Sequence, residues 1–293
     1  MIAALALALV ACAANASCKS RASGAPSDPA APARRVVSLS PSTTEAMAAI
    51  GARGALVGRS RYCDYPPDVK DLPQVGGYAD PNLEAILALT PDLVVGARGP
   101  AGPPLEASLK SHGATTFFPE TETFAQIDAM ILGLGDRTGH TAGARAAVAA
   151  IHAREEAVAK AVAGRPRPRV LLVFGLEPIV VAGPGSFADE MIARAGGDNA
   201  VKEGTAYPVL GVERVVVLDP DVVVNAAIAE AHGHERIQRD TPGWKELRAV
   251  REGRVAPLTD ESVLRPGPRV GDAVAILAGA IHPGAPLAAD AAP

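Results

Sequence analysis

The chain has 293 residues, 48% of them hydrophobic and 20% charged, which fits a folded soluble protein long enough for two units of ordinary domain size. A net charge of −4 supplies no basic face and argues against a nucleic-acid partner. Aromatic residues make up only 3%, so the places of the four tyrosines carry information.

Ile2 to Ala11 is an unbroken apolar run of about ten residues, the length of a secretory h-region and too short to span a bilayer. No basic n-region precedes it, which leaves room for a start further upstream. Leu9-Val10-Ala11-Cys12 resembles a bacterial lipobox, in which Cys12 becomes the lipidated first residue. Ala14-Asn15-Ala16 offers the rival, ordinary cleavage before Ser17. Either reading exports the chain. Residues 1–18 are therefore the leader. Residues 19–34, rich in Ala, Pro, Ser and Gly, read as a disordered tether.

The fold is expected from Arg35 onward. Val36 to Ser40 is a buried-type strand, and Pro41-Ser42 open a helix over Thr43 to Ile50 that Gly51 ends. A short strand at Ala55 to Gly58 leads into the turn-rich stretch Asp64-Tyr65-Pro66-Pro67. Helix at Glu84–Leu89, strand at Leu93–Val95, helix at Leu105–His112, strand at Thr115–Phe118 and helix at Phe124–Leu134 follow. Thr141 to Ala163 is the longest helical pattern, Ala-rich and stopped by Gly164; about 23 residues span roughly 35 Å. Strand Arg169–Val173, helical Asp189–Ala195, helix Trp244–Val250, strand Arg254–Pro257 and helix Val270–His282 complete the alternation. Strands alternating with helices indicate α/β lobes with mostly parallel sheets. The expected organisation is an N-terminal lobe over 35–140, a linking helix over 141–164, a C-terminal lobe over 165–283 and a tail over 284–293.

A repeat underlies the two lobes. Tyr78-Ala-Asp-Pro-Asn-Leu-Glu84 leads to Pro91-Asp92-Leu-Val-Val95. Tyr207-Pro-Val-Leu-Gly-Val-Glu213 leads to Pro220-Asp221-Val-Val-Val224. Tyr, Glu and Pro-Asp recur 129 positions later (207 − 78 = 129). Proline stops a helix and the next residues form a strand, so the Pro-Asp element is structural. Glu84 and Glu213 stand at equivalent places, and a helix dipole alone accounts for a carboxylate in a first turn. On paired lobes they also make two acidic points for arginines of a partner. Tyr62, Tyr65, Tyr78 and Tyr207 lie in loop-like stretches on the strand-to-helix side, where open α/β sheets bind ligands.

Other patterns carry less. Cys12, Cys18 and Cys63 make no disulfide framework, and Cys63 reads as a small buried apolar residue. Ala231-His232-Gly233-His234-Glu235 supplies two good metal ligands where a site needs three or four, so an exposed polar loop is the expectation. The glycine-rich runs lack a Gly-Lys-Ser/Thr ending, and neither Gly-x-Ser-x-Gly nor His-Glu-x-x-His occurs. No catalytic constellation and no metal site are assigned. An exported α/β enzyme, or a metal-ion binder using His232 and His234, is the alternative of another class.

Several stretches resemble the periplasmic substrate-binding proteins of ABC importers for cobalamin, iron-siderophores and haem. They are Arg35-Val-Val-Ser-Leu-Ser-Pro-Ser-Thr-Thr-Glu45, Ser60-Arg-Tyr62-Cys-Asp64-Tyr65-Pro66-Pro67, Pro73-Gln-Val-Gly-Gly-Tyr78 and Asn82-Leu-Glu84 through Val95. The resemblance spans about Arg35 to His282 and is stronger in the first half. It implies two Rossmann-like lobes on a helical backbone that closes only modestly, no intrinsic cofactor, a monomer, and a metal-chelate ligand passed to a permease. By this resemblance Tyr62 contacts the ligand, Tyr78 and Tyr207 are pocket aromatics where cobalamin binders carry tryptophan, Asp260 is a pocket aspartate, and Glu84 and Glu213 dock on permease arginines. Ala97 departs from the pattern, being non-aromatic at an aromatic site. Cobalamin is the first expectation. A less aromatic cleft leaves haem or a ferric siderophore as the alternative, with Arg98, Arg265 and Arg269 facing an anionic ligand.

Overall fold

The computed structural model describes residues 31–77, 79–99, 102–230 and 236–287. Cys12, Tyr78, His232 and His234 lie outside them.

The first sheet grows from the strongest apolar runs. β1 (Val36–Ser38) is fully buried and feeds α1 (Pro41–Ala49) through a turn of hydroxyl residues. Ser40 caps α1 by accepting from the Thr43 N–H, and Pro41 sits where a helix needs no N–H donor. β2 (Leu56–Arg59), α2 (Leu83–Ala88), β3 (Leu93–Val95), α3 (Gly102–Ser111) and β4 (Thr115–Phe117) follow. The order is β2-β1-β3-β4, and all pairs are parallel, with Val36 opposite both Leu56 and Leu93. Parallel strands demand crossovers, and α1, α2 and α3 supply them.

α4 (Phe124–Thr138) opens on a capping box: Thr123 accepts from the Gln126 N–H while Gln126 reaches back. α5 (Thr141–Val162) then runs for 22 residues. Its buried residues Ala144, Ile151 and Val158 are seven apart, one stripe along the helix. α5 packs on α4 from the first half and on α10 (introduced below) from the second. It approaches α1 so closely that a Cβ on Gly143 would lie 2.1 Å from the Ile50 carbonyl oxygen.

The second half contains β5 (Arg169–Leu176), β6 (Ile179–Val181), α6 (Phe187–Arg194), β7 (Asp198–Asn199), β8 (Val209–Leu210), α7 (Val212–Leu218), β9 (Val222–Asn225), α8 (Ala227–Glu230), α9 (Arg248–Arg251), β10 (Val255–Pro257) and α10 (Val270–Ile281). β10, β9, β5 and β7 are parallel, whereas β6 returns antiparallel on β5 and β8 on β6. That antiparallel extension has no counterpart in the first sheet. The helix expected over Trp244–Val250 is a 3-10 turn, Trp244–Glu246, followed after Leu247 by α9.

The repeat is visible in three dimensions. Asp92 accepts from the Arg34 and Arg35 N–H groups, and Asp221 accepts from the Arg169 N–H at 2.8 Å. Each carboxylate thus fixes the start of the neighbouring central strand. The Arg35 side chain reaches the Thr90 carbonyl, and Arg169 reaches the Asp219 carbonyl. Thr90 (φ 44) and Asp219 (φ 38) are the non-glycine residues with left-handed backbone among those described, and they too stand 129 apart (219 − 90 = 129). The described residues from Pro32 onward make one compact unit. Ala33 already donates to the Arg137 carbonyl, and Leu287 packs against the core.

Candidate functional site

A cavity of about 220 Å³ is walled by residues from both halves of the chain. Thr121 and Glu122 come from the turn before α4. Phe174 lies near the end of β5, Val180 lies on β6, Phe187 opens α6, Tyr207 precedes β8, and Val263, Leu264 and Pro266 lie before α10. The wall is mostly apolar and aromatic, and none of these described lining residues is a cation.

Tyr207 is the centre of this wall. Its ring meets Phe174 edge-on, with centroids 5.8 Å apart and 64° between planes. Its hydroxyl donates to Glu122 Oε2 at 3.3 Å, so one hydrogen bond crosses from the second half to the first. Tyr207 is 42% exposed overall, but partial burial of its hydroxyl pushes its pKa above the ordinary value, and the charge and hydrogen bond of Glu122 push the same way. The loop carrying it is held by the Gly183 N–H on the Ala206 carbonyl, 2.8 Å. A Cβ on Gly183 would lie 2.1 Å from the Thr205 carbonyl oxygen, so this approach requires glycine.

The backbone of Glu122 is held too, although its side chain is exposed. Its N–H donates to Gln126 Oε1 at 2.8 Å, which makes it part of the cap of α4. Behind it Phe124 stacks on Phe187 at 5.9 Å, and the Phe124 N–H donates to Glu190 Oε2 at 2.9 Å.

The expected ligand residues are not all gathered here. Tyr207 lines the cavity. Tyr62 is 53% exposed, with the Arg61 guanidinium 5.7 Å from its ring centroid, and stands apart from this wall. Asp260 caps the turn that delivers Val263 and Leu264, accepting from the Ser262 N–H at 2.8 Å, but is not itself in the wall. Arg98 pairs with Glu120 at 2.7 Å. Glu122, Phe174 and Phe187 were not anticipated.

Two of the arginines expected to face an anionic ligand, Arg265 and Arg269, are engaged with carboxylates of the protein. Arg265 Nη1 donates to Glu45 Oε1 at 3.0 Å and to Asp64 Oδ1 at 2.7 Å, and Nη2 binds Glu261. Arg269 grips the same Glu45 through Nε at 2.8 Å and Nη2 at 2.9 Å. The Glu45 side chain is only 1% exposed, and a buried carboxylate on α1 needs cations, which these two supply. Burial opposes the Arg265 charge, but its bonds to Asp64 and Glu45 outweigh that and raise its pKa. The cluster joins the first helix of the fold to the segment before the last.

Glu84 and Glu213 are exposed and occupy the first turns of α2 and α7. Asn82 caps α2 by accepting from the Ala85 N–H at 3.0 Å, whereas Gly211 caps α7 with no side chain. Cys63 is fully buried, and burial pushes its thiol pKa up.

Two α/β sheets, one before and one after a single long helix in the chain, with an aromatic cavity walled from both halves, define the architecture of a bilobal solute-binding protein. Residues 36–261 match the periplasmic binding protein family, and the chain belongs to it. It is 32% identical over 247 residues to the vitamin B12-binding protein of Vibrio cholerae, covering 83% of this chain and 87% of that one. The crystal structure of the periplasmic vitamin B12 binding protein of Vibrio cholerae superposes with a TM-score of 0.74 at 30% identity, covering 85% of this chain and 97% of that one. The periplasmic haem-binding protein of Roseiflexus sp. RS-1 gives a TM-score of 0.74 at 28% identity over the same shares.

Proposed function

We propose that this chain is an exported solute-binding protein that binds cobalamin and delivers it to the permease of an ABC importer. The observation that carries the ligand reading is the cavity wall: Phe174, Phe187 and Tyr207 give a broad apolar surface, and the described lining residues bring no cation to it. That suits a large ligand with apolar faces and an uncharged polar rim better than a polyanionic chelate. Vitamin B12-binding relatives at 30–32% identity support the same choice. The haem-binding neighbour of equal TM-score supports the second reading, a haem or ferric siderophore in the same cleft.

At about 220 Å³ the cavity is smaller than the ~300–1,000 Å³ usual for small-molecule sites. Loading a corrinoid would therefore require the cavity to widen, with Tyr207 leaving Glu122 as part of that change. Tyr62, Tyr78 and Asp260 would then contact the ligand outside the present wall. Glu84 and Glu213, exposed at equivalent helix starts, would dock on the permease. Cys12 would carry the lipid anchor, and the protein would work as a monomer without a cofactor of its own.

Titration of the purified protein with cyanocobalamin, haemin and a ferric siderophore, followed by calorimetry and absorbance, tests the reading. Binding of cyanocobalamin in preference to the other two is the expected result. No cyanocobalamin binding up to about 1 mM, a free energy of only about −4 kcal/mol, removes it.

A further inference from the structure

We infer that Glu122 sets the charge selectivity of the cavity, admitting a corrinoid whose rim is uncharged carboxamide and disfavouring any ligand that brings a carboxylate to this wall. The inference deepens the cobalamin reading and rests on it.

A carboxylate only accepts hydrogen bonds. Glu122 faces the cavity and already accepts one, from the Tyr207 hydroxyl at 3.3 Å. An amide N–H of a ligand replaces that donor when Tyr207 moves away. A ligand carboxylate cannot, and like charges set against each other cost binding energy. The backbone at this position is held, because the Glu122 N–H donates to Gln126 Oε1 at the start of α4, while the carboxylate itself is solvent-exposed.

Nothing among the described lining residues offsets that charge. The arginines close in sequence are committed to carboxylates: Arg98 pairs with Glu120, and Arg265, next to the lining residue Leu264, binds Glu45, Asp64 and Glu261. Arg269 closes on Glu45. Carboxamides and carboxylates have nearly the same shape, so an apolar wall alone cannot tell them apart. An anion on the wall can, by repulsion instead of added attraction.

The test uses cyanocobalamin and its three monocarboxylic acids, in which one propionamide is hydrolysed, with the wild type, Glu122→Gln and Tyr207→Phe. Wild type is expected to bind at least one acid about tenfold or more weakly than cyanocobalamin. Glu122→Gln should bring that ratio to within about twofold, while Tyr207→Phe, which keeps the carboxylate, should preserve it. Equal binding of all three acids by wild type, a ratio that survives Glu122→Gln, or a ratio abolished by Tyr207→Phe overturns the inference and leaves the cobalamin reading standing. If haem binds and cyanocobalamin does not, the cobalamin reading fails alone. Haem and its dimethyl ester then make the comparison: wild type should prefer the ester and Glu122→Gln should not, and equal preference in both proteins overturns the role of Glu122. Binding of neither removes both.

Discussion

Replacing Glu45 by glutamine tests whether the buried ion cluster holds the two halves together. Glu45 accepts three bonds from Arg265 and Arg269 at 2.8 to 3.0 Å with its side chain 1% exposed. Glutamine keeps the shape and removes the charge. Arg265 retains Asp64 and Glu261, so most of the loss falls on Arg269, which keeps its stacking on Tyr65 but whose remaining carboxylate, Asp260, is 3.9 Å away. Breaking a buried pair from one side costs about 3–5 kcal/mol, and the surviving partners of Arg265 place this case near 3 kcal/mol. With a urea m-value of about 3 kcal/mol/M for a chain of this size, the midpoint should fall by about 1 M. Arg269→Met in the same background removes the stranded cation, and the cycle of single and double variants should show a coupling of about 2 kcal/mol. A midpoint shift under about 0.3 M, or effects that add to within about 0.5 kcal/mol, would refute the reasoning.

Further outcomes follow from other contacts. Asp92→Ala and Asp221→Ala each strip a carboxylate from a strand start and should each cost about 1–3 kcal/mol in thermal or urea melts; no effect from either would mean the strands hold their register without it. Gly143→Ala forces a Cβ against the Ile50 carbonyl and should destabilise by about 1–3 kcal/mol, with a neutral result showing that α5 can back away from α1. Glu84→Ala and Glu213→Ala should leave cyanocobalamin affinity within about twofold and reduce uptake by cells, because exposed helix-start residues add little to the fold; a loss of affinity would put them in the binding site. Burial raises the Asp64 carboxyl, but its bond to Arg265 and the charge of Arg265 lower it more, so its folded pKa lies below the ordinary 3.8. A depressed pKa means that the folded form binds fewer protons than the unfolded chain. The contribution is therefore present above 3.8 and lost as pH falls through the folded value. Urea midpoints measured from pH 5 downward should fall less steeply for Asp64→Asn than for wild type, and identical slopes would contradict the assignment.

Much of the architecture could be read from the chain because local rules agree with the fold. Short β-branched runs such as Val36-Val37 and Leu93-Val94-Val95 favour buried strands, and Pro91-Asp92 and Pro220-Asp221 mark both copies of one turn. The antiparallel strands β6 and β8 were not legible, since three residues and two residues, framed by Pro178 and Pro208, show no alternation. The site was harder. Tyr207 stood out as one of four tyrosines, but Phe174 and Phe187 look like ordinary core residues until β5 and α6 converge. Glu122 reads as one more charge before a helix. Glu45 and Arg265 meet across 220 positions, so arginines that look available for a ligand are already used inside the protein. Spacing along a chain conveys nothing about such a pairing.

Thr90 and Asp219 adopt a backbone that glycine or asparagine would tolerate better, and they do so at the same point of the repeat. Two unlike side chains under the same strain mean that the turn is imposed from outside the residue. Its ends are set by the stopped helix and by the aspartate anchored to the next strand, and the residue between them conforms. The protein thus contains a built-in replicate. Thr90→Gly and Asp219→Gly pose one question in two sequence contexts, and any difference between their effects isolates what the surroundings add to a shared geometry.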